Sequence, residues 1–138
     1  MMKKDELAVW AQVRDTLAQI ARWLGDGPHG EEALAELMAG FDAGFAMVAP
    51  SGARLDGQGL RAFFQGAAGS RPGLEIKLER MTLLMGDGDA ATVAYYETQT
   101  LADGSGNGRH ATAVLRRNGV NWRWRHLQET GEAVWPPR

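Results

Sequence analysis

A carboxyl and an imidazole on opposite sides of a small pocket can relay a proton, and the last third of this chain holds both. Glu97 and His126 are the candidate catalytic residues. Tyr95, Gln99, Arg109, Trp124 and Gln128 are the candidate ligand contacts around them. In half-apolar surroundings the Glu97 carboxyl acquires a raised pKa and acts as a general base, with His126 as the partner acid or hydrogen-bond donor. Such a pair suits proton abstraction next to a carbonyl. The structural alternative is that Glu97 and His126 satisfy each other or the backbone. In that case the alanines between them merely make room for Trp10 or Phe63.

Three strands between Ala90 and Thr130 must position these side chains. Asn118-Gly119 is a strong signal for a two-residue hairpin, which pairs Leu115 with Trp122, Ala113 with Trp124 and Ala111 with His126. The glycine-rich loop 103–108 places Leu101 opposite Arg109 and Gln99 opposite Ala111. Alternation then sends Tyr95, Glu97, Gln99, Ala111, Ala113, Leu115, Trp122, Trp124, His126 and Gln128 to the inner face. Two alanines on the central strand lower the floor between Glu97 and His126. The outer face takes Thr92, Ala94, Tyr96, Thr98, Thr100, Thr112 and Val114, short or semi-apolar side chains that suit a two-fold dimer through the sheets. Thr is also at home on an exposed strand. Arg116, Arg123 and Arg125 share that face with Glu75, Glu79 and Glu129, which reads as a solvated, salt-bridged surface.

Upstream, Leu7, Trp10, Val13, Leu17, Ile20 and Leu24 recur at helical spacing and predict a helix over 5–24. Gly25-Asp26-Gly27-Pro28 ends it. A second helix fits 31–39, a strand fits 45–49, and Asp56 caps a third helix reaching residue 68. A long strand follows over 74–85, and its apolar phase slips after Arg80, which predicts a β-bulge there. Residues 131–138 read as an irregular tail with Trp135 packed down. The pattern is α+β, with the helices on one face of a curved antiparallel sheet.

A length of 138 residues suits a single domain over 1–138. A net charge of −2 gives no electrostatic case for nucleic acid or an anionic membrane. There is no cysteine, which excludes disulfides and thiolate chemistry. No apolar run is long enough for a membrane span, so the expected location is cytoplasmic. His29, His110 and His126 fall on a loop, the outer face and the inner face, so no metal site is expected.

The order of elements, together with Glu97-Thr98-Gln99-Thr100 and Trp122-Arg123-Trp124-Arg125-His126-Leu127-Gln128-Glu129-Thr130, resembles the nuclear-transport-factor-2-like superfamily. The SnoaL-like branch and its neighbours of unknown function are the nearest likeness. The resemblance implies a cystatin-like roll: a cone-shaped sheet curled around the long first helix, open at its mouth to a small-molecule ligand. It also implies that the strand over 45–49 lies beside the last strand. Members include isomerases, cyclases and dehydratases that need no cofactor, and also plain association modules, so the fold does not choose between them. The steroid isomerases of the family use a Tyr and two acids in the pocket. Only one inward acid, Glu97, emerges from the alternation here.

Overall fold

The computed structural model describes residues 1–133. The elements run α1 (Lys3–Leu24), α2 (Glu31–Ala39), β1 (Phe41–Val48), β2 (Arg54–Asp56), α3 (Gly57–Ala67), β3 (Glu75–Asp87), β4 (Ala90–Thr100), β5 (Gly106–Asn118) and β6 (Asn121–Gly131). All six strands form one sheet in the order β2-β1-β6-β5-β4-β3. Every pairing is antiparallel except β1 with β6, which is parallel. The α+β class and the long first helix are as the sequence predicts, and the early strand pairs beside the last one as the family resemblance implies.

α1 lies in the curl of the sheet because its apolar stripe matches the helical repeat. Val9, Val13, Thr16, Leu17, Trp23 and Leu24 are buried, while Arg14, Asp15, Ala18 and Arg22 face water. Trp23 Nε1 donates to the Phe64 carbonyl at 2.7 Å and ties α1 to α3. α3 starts as predicted, with the Asp56 carboxylate accepting from the Gly59 N–H at 2.8 Å. The bulge in β3 is also present: Arg80 has φ +51°, and the register with β4 jumps between Glu79 and Thr82.

Several sequence expectations shift. β1 begins at Phe41 rather than Phe45, because its first residues pair irregularly with β6 and carry no clean alternation. β2, only three residues long, is too short to show a period. Gly131 still belongs to β6, and residues 134–138, with Trp135 among them, lie outside the described residues.

The hairpin registers move as well. The last turn centres on Gly119-Val120, closed by Asn118 opposite Asn121, because Gly119 takes the positive φ at the first central position. Leu115 therefore faces Trp124, not Trp122. The β4–β5 loop is tighter than expected and closes with Thr100 opposite Gly106, where the Asp103 side chain accepts from the Ser105 N–H. This puts Tyr95 opposite Ala111 and Glu97 opposite Arg109. Both shifts are by an even number of residues, so the inner and outer faces survive along β4, along β5 and along β6 as far as Trp124.

Candidate functional site

Between α1, α3 and the inner face of the sheet lies a cavity of about 380 Å³. That falls within the usual range for small-molecule sites, about 300–1,000 Å³. Leu17, Phe41, Leu60, Phe64 and Leu127 make most of its wall apolar. Phe63, 49% exposed, stands at the rim. The indole of Trp124 is held in the wall by an Nε1–H bond to Thr16 Oγ1 at 3.0 Å.

One end of the cavity is polar. Glu97 is 2% exposed, and its Oε2 accepts from Gln99 Nε2 at 2.5 Å. Gln99 Oε1 in turn accepts from Arg71 Nη1 at 2.8 Å, which fixes which end of the amide faces Glu97. Arg71 reaches in from the α3–β3 loop, which is laced to the end of α1 by the Gly69 and Arg71 N–H groups donating to Trp23 and Leu24 carbonyls. Arg109 donates from Nη2 to Asn107 Oδ1 at 2.8 Å and from Nη1 to Glu129 Oε1 at 3.4 Å. Tyr95 stands beside Glu97 on β4, and Ala111 separates it from Glu129 on β6. The Tyr95 hydroxyl is buried and has no hydrogen-bond partner among the described residues.

Burial dominates the electrostatics of this end. It raises the Glu97 carboxyl above the ordinary range, against the Gln99 donor and the Arg109 charge. It pushes Glu129 up to about 7, with Arg109 opposing and the Glu97 charge adding to the rise. Tyr95 is raised well above its usual value, first by burial and then by the charges of Glu97 and Glu129, so it remains a protonated donor.

Five of the seven sequence-derived site residues, Tyr95, Glu97, Gln99, Arg109 and Trp124, line this cavity. His126 and Gln128 do not. They occupy the opposite side of the sheet, in a shallow depression with Arg54 and Asp56. The reason is a second bulge: Leu115 pairs with Trp124 but Val114 pairs with His126, leaving Arg125 surplus. From that point the alternation of β6 inverts, and Leu127 and Glu129 turn inward. Glu129, expected on the outer face, is thus the second buried acid. The signal was present in the sequence: apolar phase runs through Trp122 and Trp124 and then slips to Leu127, the same slip that reveals the bulge at Arg80. Among the described residues no three His, Asp or Glu side chains converge as a metal would require, and no helix is long and apolar enough to cross a membrane.

No protein-family model matches the chain, and no curated protein sequence matches it. Solved structures do. An NTF2-like protein of unknown function from Pseudomonas aeruginosa is 38% identical, with a TM-score of 0.85, over 91% of this chain and 99% of that one. A protein of unknown function with a cystatin-like fold from Nostoc punctiforme is 16% identical, with a TM-score of 0.74, over 99% and 97% of the two chains. The association domain of C. elegans CaMKII is 16% identical, with a TM-score of 0.70, over 93% and 97%.

Proposed function

The chain belongs to the NTF2-like family, and from that premise we propose that it binds a small, largely apolar molecule in its cavity and performs acid–base chemistry beside a carbonyl group. The observation that carries this reading is the convergence of Tyr95, Glu97 and Glu129 at one end of an otherwise apolar cavity. With a pKa of about 7, Glu129 is present in both protonation states near neutrality, the condition that favours general acid–base work. It takes the proton from the carbon next to the carbonyl. The electron pair left behind moves onto the carbonyl oxygen, which accepts a hydrogen bond from Tyr95. Glu129 then returns the proton to another carbon of the same conjugated system, so the net reaction is an isomerisation. Side chains carry the proton throughout, and the scheme calls for no cofactor. Glu97, fixed by Gln99 and Arg71, is the second carboxylate, and its charge adds to the burial that keeps the Tyr95 phenol from ionising.

The test is proton exchange. Cyclic ketones are incubated with the protein in deuterated water, and deuterium uptake beside the carbonyl is followed by NMR. Exchange is accelerated by the native protein and falls by about 10²-fold or more in Glu129→Gln, the usual scale for loss of a general base. Absence of both accelerated exchange and ketone binding would sink the reading.

A second reading, association, has its own support. All three helices pack on the inner side, and the outer side shows Thr92, Ala94, Val114 and the exposed Met85 along neighbouring strands. The same fold serves as an association domain in C. elegans CaMKII. We therefore propose a homodimer through this face. Light scattering checks it: the native chain runs at twice its monomer mass, and Ala94→Arg runs as a folded monomer. A native chain that remains monomeric at high concentration removes the proposal.

A further inference from the structure

We infer that Asn107 is a positioning residue, which grips the Arg109 guanidinium and keeps it from closing on Glu129, so that Glu129 stays free to take and return a proton. The grip is a matter of geometry, whereas its use in catalysis rests on the acid–base reading above.

One hairpin builds the arrangement. The β4–β5 loop closes with Thr100 opposite Gly106, so Asn107 is the first inward side chain of β5, opposite Gln99, and Arg109 is the next. Two residues apart on one face, they meet directly. Asn107 Oδ1 sits in the fork of Arg109, accepting from Nη2 at 2.8 Å and from Nε at 3.3 Å. A guanidinium fork of this kind is suited to grip a carboxylate with two parallel bonds. Here a neutral amide oxygen occupies it at every pH.

Glu129 is left with the other nitrogen. Arg109 Nη1 stands 3.4 Å from Glu129 Oε1, beyond the roughly 2.7–2.9 Å of a charge-assisted hydrogen bond. The two side chains are 17% and 8% exposed, so water does little to screen them. Turned onto Glu129 by its fork, the guanidinium would fix that acid in the ionised, weakly basic form. Held by Asn107, it opposes the effect of burial on Glu129 without cancelling it. Glu97 is the other charge acting on Glu129, and it works the opposite way. Tyr95 faces Glu129 across Ala111 as a protonated phenol, and Arg71 enters the same end from its loop. Among the described residues, the side chains that α1, α3, β1, β2 and the β1–β2 loop send to the cavity are all uncharged.

The experiment follows the carboxyl carbons of Glu129 and Glu97 by NMR across the pH range, in the full chain and its variants. In Asn107→Ala the released fork closes on Glu129, whose midpoint falls by about one pH unit or more, the scale of a close opposite charge. Asn107→Asp keeps an oxygen in the fork and adds a negative charge, so the midpoint holds or rises. The pH inflection of ketone proton exchange moves with Glu129 in each variant. The sharpest comparison removes Arg109. In an Arg109→Gln background, Asn107→Ala leaves the Glu129 midpoint where Arg109→Gln alone puts it, because Asn107 acts through Arg109. Should Asn107→Ala not fold, Asn107→Leu fills the space without the oxygen and is read in the same way. A Glu129 midpoint unchanged in the folded variant overturns the inference, and so does a fall confined to Glu97. An equal fall with Arg109 absent overturns it as well. Midpoints that move as stated, with no accelerated exchange in the native chain, uphold the positioning and remove the acid–base reading alone.

Discussion

Gln99 presents its amide nitrogen to Glu97 at 2.5 Å because Arg71 holds the other end of that amide at 2.8 Å. The bond opposes the effect of burial on the Glu97 carboxyl. Gln99→Leu removes the donor, and the Glu97 pKa climbs further from its ordinary value. Arg71→Met acts in the same direction but more weakly, since the amide can still donate once it is free to turn. Carboxyl carbon shifts followed by NMR across the pH range measure both. A Glu97 midpoint that stays put in Gln99→Leu would show that burial alone sets it.

Glu129 makes stability depend on pH with a definite sign. Its folded-state pKa of about 7 lies above the ordinary 4.5, so the folded chain holds a proton that the unfolded chain releases between those values. Stability contributed by that proton is complete below pH 4.5 and is lost as pH rises toward 7. At roughly 1.4 kcal/mol per unit, the drop is about 3 kcal/mol as an upper figure. Glu129→Gln does not titrate, so it gains on the native chain through this window and then runs parallel above it. Denaturant midpoints at a series of pH values check this; curves parallel throughout would contradict the raised pKa.

The Trp124–Thr16 bond joins the last strand to the first helix inside the core, at 3.0 Å. Thr16→Val keeps the shape and leaves the indole N–H without an acceptor. The expected loss is about 1–3 kcal/mol in urea unfolding, the cost of a buried donor left unsatisfied. A change below half a kcal/mol, in round terms, would mean that another acceptor or water replaces the hydroxyl.

Arg80 holds φ +51° in the β3 bulge, and its guanidinium lies 5.1 Å from the centre of the Tyr96 ring. The left-handed backbone costs a side chain roughly 1–2 kcal/mol, and the cation–π contact returns about half of that. Arg80→Gly loses both and is close to neutral. Arg80→Val loses the contact and adds a β-branch where the backbone resists it, so it destabilises by about 2 kcal/mol. Equal stability of the two variants would argue that the bulge relaxes.

What could be read from the sequence follows a clear physical line. Helix positions came from periodicity in α1 and from the Asp56 cap in α3, both local signals. The inner face of β4 and β5 came from alternation, which tolerates even register errors, so Tyr95, Glu97, Gln99 and Arg109 lay on the cavity side although their cross-strand partners moved. An odd change does not forgive. The single surplus residue Arg125 turned His126 and Gln128 away and brought Glu129 in. Arg71 was out of reach of any periodic argument, because it enters the cavity from a loop.

The Arg125 bulge has a consequence for how this strand can vary. Losing Arg125 would straighten β6 and still leave Leu127 and Glu129 facing the cavity, since the residues beyond keep their parity with β5. Flattening the bulge at constant length would instead rotate the strand and exchange the Glu129 carboxyl for the His126 imidazole and the Gln128 amide. The chemistry of the cavity is therefore set at this point by backbone shape as much as by side-chain identity. A lineage carrying this strand tolerates a lost codon better than a lost kink.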